Sequence, residues 1–160
     1  MADTLEVAER LLAEGDDLAH EKRDAEALSR FRSAWSALPE PRDEQEPAVR
    51  ILAAIADSQF HLGAWAGCRD SVQHAFRCGG DLANPFLRLR LGQALYEVEN
   101  EQEAANWLVP AYLSEGRALF AEETRYRVKQ VLIKDPAELR VVFALEGNHR
   151  PVEEGGVRIT

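Results

Sequence analysis

From Ala8 to Pro39 the chain reads AERLLAEGDDLAHEKRDAEALSRFRSAWSALP, and within it Leu11, Gly15, Leu18, Ala27, Phe31, Ala34 and Pro39 stand at intervals that return twice more. A looser second copy starts near Val49, with Leu52, Ile55, Ala56, Cys68, Val72, Ala75 and Gly80 in the same frame. The third starts near Pro85, where Leu91, Gly92, Leu95, Ala104, Leu108 and Ala111 follow and Gly116 replaces the proline. Apolar and small residues recurring three and four positions apart, broken by a turn and then resumed, describe two amphipathic helices joined as a hairpin. Three such hairpins and no strand-like alternation before residue 139 make the expected fold class all-α.

Helix starts can be placed independently of this frame. Asp3 with Glu6 forms a variant capping box, Asn84-Pro85 couples an N-cap to a proline at the first helical position, and Asn100 with Glu103 opens another helix. All three fall where the repeat frame puts a helix start. Copy spacings of 41 and then 36 residues leave the excess in the turns between copies. The segment Pro39-Glu-Pro-Arg-Asp-Glu-Gln-Glu-Pro47 is therefore expected to be a solvated, mobile loop, since its prolines stop a helix and its acids have nothing to bury.

Two registers carry small residues: Gly15, Ala56 and Gly92 in one, Ala27, Cys68 and Ala104 in the other. Paired helices should approach closely there, with Phe31, Val72 and Leu108 filling the adjoining space. Trp35, Trp65 and Trp107 sit at or beside apolar positions and are expected in the core or its seams.

The spacings W-x2-L-G-x2-Y, then A-x3-F, then P, are matched by the first copy with Leu11, Gly15 and Leu18, Ala27 and Phe31, and Pro39. Over residues 4 to 117 the chain thus resembles the tetratricopeptide repeat family. The resemblance implies a right-handed α-solenoid over residues 1–136. Its repeats would span about 8–41, 49–82 and 85–118, with a capping helix at about 124–134. The stretch from Arg117 to Ile133, ended by Pro136, suits a cap because a solenoid's last repeat needs an amphipathic cover. Residues 137–160 are expected to be an extended or disordered tail, with Arg140-Val-Val-Phe-Ala-Leu145 a short strand or docked segment within it.

Twenty-eight acidic against nineteen basic residues give a net charge of −9, which opposes nucleic-acid and anionic-membrane binding and favours a basic protein or peptide as partner. No stretch approaches the ~20 apolar residues of a membrane span, and Met1-Ala-Asp-Thr-Leu-Glu lacks the basic start of a secretory signal, so the cytoplasm is the expected compartment. Cys68 and Cys78 are expected to be reduced thiols outside any metal-ligand spacing. No nucleophile elbow, phosphate loop or zinc signature is present. The expectation is a non-enzyme without cofactor.

By resemblance, the first helix of each repeat lines a concave groove. The positions facing it are Glu9, Leu12, Asp16, Ala19 and His20, then Arg50, Ala53, Asp57, Phe60 and His61, then Phe86, Leu89, Gln93, Tyr96 and Glu97. Phe60, Phe86, Leu89 and Tyr96 would be apolar anchors among charged neighbours, the combination that peptide recognition uses. The family's carboxylate clamp falls on Leu12, Asp16, Ala54, Phe86 and Arg90, of which only Arg90 fits, so a peptide ending in Glu-Glu-Val-Asp is not the expected ligand. Asp16 with His20 and Asp57 with His61 occupy equivalent positions four residues apart, which opens a metal site, and with it a metal-dependent enzyme, as an alternative. The stretch from Ala111 to Phe120 resembles small stand-alone bacterial repeat proteins, some of them encoded beside polymorphic toxins. That resemblance implies a toxin-immunity or accessory role, or alternatively a secretion chaperone cradling an extended client segment.

Overall fold

The computed structural model describes residues 3–98 and 100–115, together with Tyr126–Val128 and Phe143–Leu145. Among the described residues six helices run in hairpin order: α1 (Thr4–His20) with α2 (Asp24–Ala37), α3 (Ala48–His61) with α4 (Trp65–Arg77), and α5 (Pro85–Glu97) with α6 (Glu101–Glu115). The expected caps are in place. Asp3 accepts the Leu5 amide at 3.2 Å, Asn84 accepts that of Leu87 at 3.1 Å, and Asn100 accepts that of Glu103 at 3.3 Å while its own side-chain amide donates to the Glu103 carboxylate.

Each helix packs on the next in the chain, and α3 also touches both α1 and α5. One core runs through all three hairpins, and Ala27, Phe31, Ala34, Ile51, Ala56, Cys68, Val72, Leu91, Ala104 and Leu108 are buried in it. Trp35, Trp65 and Trp107 are half-buried against that core, Trp65 edge-on to Phe60 and Trp107 stacked on Phe76.

The close approach inside each hairpin has a specific cause. A Cβ on Gly15 would lie 2.3 Å from the Phe31 ring, and one on Gly92 would lie 2.3 Å from Leu108 Cγ. In the middle hairpin the equivalent positions hold Ala56 and Val72, both fully buried. The extra methyl on one side is matched by a smaller side chain on the other. Each pair is sixteen positions apart in the sequence, and the close glycine contact is present in the first and third hairpins.

Two expectations are corrected. The 39–47 segment is not a free loop: it contains a 3₁₀ turn at Arg42–Glu44, the Gln45 side chain donates to the Pro41 carbonyl at 3.2 Å, and Asp43 bonds His74 of α4 at 2.8 Å. Acids in this loop have a partner after all, supplied by a helix 31 residues downstream. Within the expected capping helix, Tyr126–Val128 is a strand, β1, paired antiparallel with β2 (Phe143–Leu145) and with Arg127 opposite Ala144. Alternating residues of β1 that suit an amphipathic helix suit a strand equally when a second extended segment is at hand to pair with it. The rest of 124–134, and most of the 137–160 tail, lie outside the described residues. No described helix is long and apolar enough to cross a membrane.

Candidate functional site

The row of first-helix positions divides into an open half and a buried half. Glu9, Asp16 and His20 on α1 and Arg50 and His61 on α3 are exposed, with Asp57 and Phe86 half-buried beside them. Leu12, Phe60, Leu89, Gln93 and Tyr96, expected at the groove surface, are buried, each less than a tenth exposed. Phe60, Leu89 and Tyr96 are core residues and present no anchor to a partner. The reason was visible in Phe86-Leu-Arg-Leu-Arg-Leu-Gly-Gln-Ala-Leu-Tyr96, which carries apolar side chains all round the helix, the mark of a buried helix rather than an amphipathic one.

Charged pairs cross from one hairpin to the next on this side. Arg50 of α3 donates to Glu9 of α1 and, at 3.3 Å, to Glu46, with all three side chains largely solvated. At the second seam the pairing is of another kind. Arg90 of α5, 5% exposed, donates through Nε and Nη2 to Asp57 of α3 at 2.7 Å and through Nη1 to Gln93 at 2.8 Å. Its guanidinium lies 4.2 Å from the Phe60 ring centre and 5.3 Å from that of Phe86. A planar cation between aromatic faces, bonded to a carboxylate and an amide, joins the two hairpins with little access to water. The sequence marks Arg90 only as a lone match to a carboxylate clamp, because its carboxylate partner Asp57 comes from a helix 33 residues away.

The two Asp-His pairs do not converge. The His20 ring bonds the Asp16 carbonyl of its own helix at 2.8 Å. His61 Nδ1 lies 3.4 Å from Asp24, at the start of α2, and 3.9 Å from Asp57. Among the described residues these four side chains form no cluster of metal-ligand reach, and the catalytic alternative built on them loses its geometry.

Partial desolvation pushes the Asp16 carboxyl above its usual range; nearby His20 pulls the other way, Asp17 adds to the rise and Arg50 offsets it. A cation brought to Asp16 would relieve that cost. Burial pushes the Cys68 thiol up to about 12, so it is inert core, whereas Cys78 is pushed up to about 11 by burial and by neighbouring Asp43.

The open half is therefore a strip of exposed Glu9, Asp16, His20, Arg50 and His61, with half-buried Asp57 beside it and Arg50 paired to Glu9. It is rigidly mounted on two helices and can hold a polar or cationic segment through charge and hydrogen bonds. No protein-family model matches the chain, and comparison with curated proteins finds no match.

Proposed function

We propose that the chain is a non-catalytic protein-binding module, a right-handed solenoid of three tetratricopeptide-like repeats, that holds a basic protein or peptide along the open half of its first-helix row. What supports this most is one observation: Glu9, Asp16, Arg50 and His61 stand exposed on α1 and α3, while at the equivalent α5 positions Phe86 and Glu97 are half-buried and Gln93 is buried. Polar side chains concentrated on two adjacent helices are placed for recognition rather than packing. The repeat reading is supported by three hairpins with the same small-residue contact at Gly15, Ala56 and Gly92. A net charge of −9 steers a basic partner towards this surface. In its specific form the proposal is a toxin-immunity or accessory protein, acting in the cytoplasm, whose acidic strip covers a basic toxin surface.

The test compares capture of partners from the native cell by the wild-type chain, by the E9K/D16K variant and by D70K, which reverses an exposed charge on α4. Wild type and D70K should retain the same partner, E9K/D16K should bind it at least tenfold more weakly, and added salt should slow association with the wild type. Undiminished binding by E9K/D16K would move the partner to another face. An extended secretion substrate as the captured protein would replace the immunity role by the chaperone role.

A further inference from the structure

Away from the first-helix row, three side chains of different donor chemistry meet where the connection between the first two hairpins lies against the end of α4. Asp43 is on the 3₁₀ turn, His74 is in the last turn of α4, and Cys78 caps that helix. One ligand atom from each, a carboxylate oxygen, an imidazole nitrogen and the thiol sulfur, lies within 4.8 Å of the other two. The His74 Nε2 to Asp43 Oδ1 distance is 2.8 Å, and the Cys78 sulfur stands beside both.

The geometry points to a three-ligand site for zinc, or another thiophilic divalent transition ion, made by Asp43 Oδ1, His74 Nε2 and Cys78 Sγ, with a fourth position open to solvent. Ion bonds of about 2.0–2.3 Å in a tetrahedral arrangement call for ligand atoms somewhat over 3 Å apart. The cluster reaches that by small side-chain movements alone. The Asp43–His74 hydrogen bond opens, the thiol closes in, and its proton leaves to solvent as the thiolate binds the ion.

Two of the ligands are rigidly held. His74 and Cys78 are four residues apart on one helical face, the Cys78 amide donates to the His74 carbonyl at 3.0 Å, and the Trp35 ring lies edge-on to the imidazole at 5.2 Å. Asp43 is exposed, which leaves an entry path. The mixed oxygen, nitrogen and sulfur set suits zinc rather than magnesium or calcium. A bound ion would fasten the connection between the first two hairpins to the second hairpin, across 31 positions of sequence.

The experiment titrates the full chain, reduced and metal-free, with cobalt(II) and zinc(II). Wild type and C68A should bind one equivalent, show thiolate-to-cobalt charge-transfer absorption and melt at a higher temperature with zinc. C78S should lose the charge-transfer absorption and bind zinc at least a hundredfold more weakly. D43N, whose side chain is exposed and whose fold is not in question, should bind zinc at least tenfold more weakly. The proposal is overturned if wild type shows no charge-transfer absorption with stoichiometric cobalt, or if D43N and wild type bind zinc equally.

Discussion

The two seams between hairpins use the same chemistry to different ends. At the first, Arg50 meets Glu9 and Glu46 in water. At the second, a buried Arg90 guanidinium meets half-buried Asp57 beside the Phe60 and Phe86 rings and donates as well to Gln93. An exposed pair contributes little to stability because solvent screens it and its long side chains lose entropy on pairing. A buried guanidinium is costly to isolate, so its partners must stay. The charged positions of this row, Glu9, Asp16, Arg50 and His61, are thus exposed on α1 and α3, whereas on α5 Gln93 and the neighbouring Arg90 are internal structure.

The sharpest way to break this contrast is to remove Arg90. Arg90→Ala leaves Asp57 and Gln93 without their donor and opens space beside two aromatic rings, with an expected loss of about 3–5 kcal/mol in denaturant unfolding. Next in size is the repeated contact within hairpins. Gly15→Val or Gly92→Val forces a side chain into Phe31 or Leu108 and should cost about 1–3 kcal/mol or more. Gly92→Ala combined with Leu108→Val copies the middle hairpin's Ala56–Val72 solution and should recover much of what Gly92→Ala alone loses. Smaller still is Arg50→Ala, below about 1 kcal/mol and further reduced by salt.

The smallest effect has the opposite sign. The Asp16 carboxyl has a folded pKa above its ordinary 3.8, so folding favours its neutral form; that contribution is fully present below 3.8 and is lost as pH rises through the folded value. Ionised Asp16 is therefore slightly unfavourable at neutral pH. Asp16→Asn should raise the melting temperature slightly near neutrality, with the gain disappearing on acidification below 3.8, while weakening a cationic partner. Asp43 runs the other way. Its hydrogen bond from His74 holds the carboxyl below 3.8, so its stabilisation is present above that value and fades as pH falls through the lower folded one.

Local pattern was enough for the six helices, because Asp3, Asn84 and Asn100 mark starts and the Gly15, Ala56 and Gly92 register marks the contacts, all within one hairpin's length of chain. Failures came where the deciding partner is far away in sequence. Asp43 is exposed, as its local sequence suggests, but its partner His74 lies 31 residues away on α4 and leaves no mark in the 39–47 segment. His61 looked like half of a metal site until Asp24 was found at its ring. Tyr96 and Phe60 were placed on the right helices but on the wrong side of the surface. α5 is apolar on several faces, which buries positions that a groove-lining helix would expose. At the end of α1, Lys22 adopts a φ of 61°, where the equivalent turn of the second copy has Gly63 at 75°. A lysine gives no signal of that left-handed turn, which glycine announces.

The contrast between the seams is tested most directly by paired double-mutant cycles on unfolding stability, Asp57→Ala with Arg90→Ala and Glu9→Ala with Arg50→Ala, at low and high salt. The expected result is a coupling of at least about 2 kcal/mol at Asp57–Arg90 that salt hardly changes, and one below about 0.5 kcal/mol at Glu9–Arg50 that salt removes. Equal couplings with equal salt dependence would contradict the division of the row into an open half and a buried half.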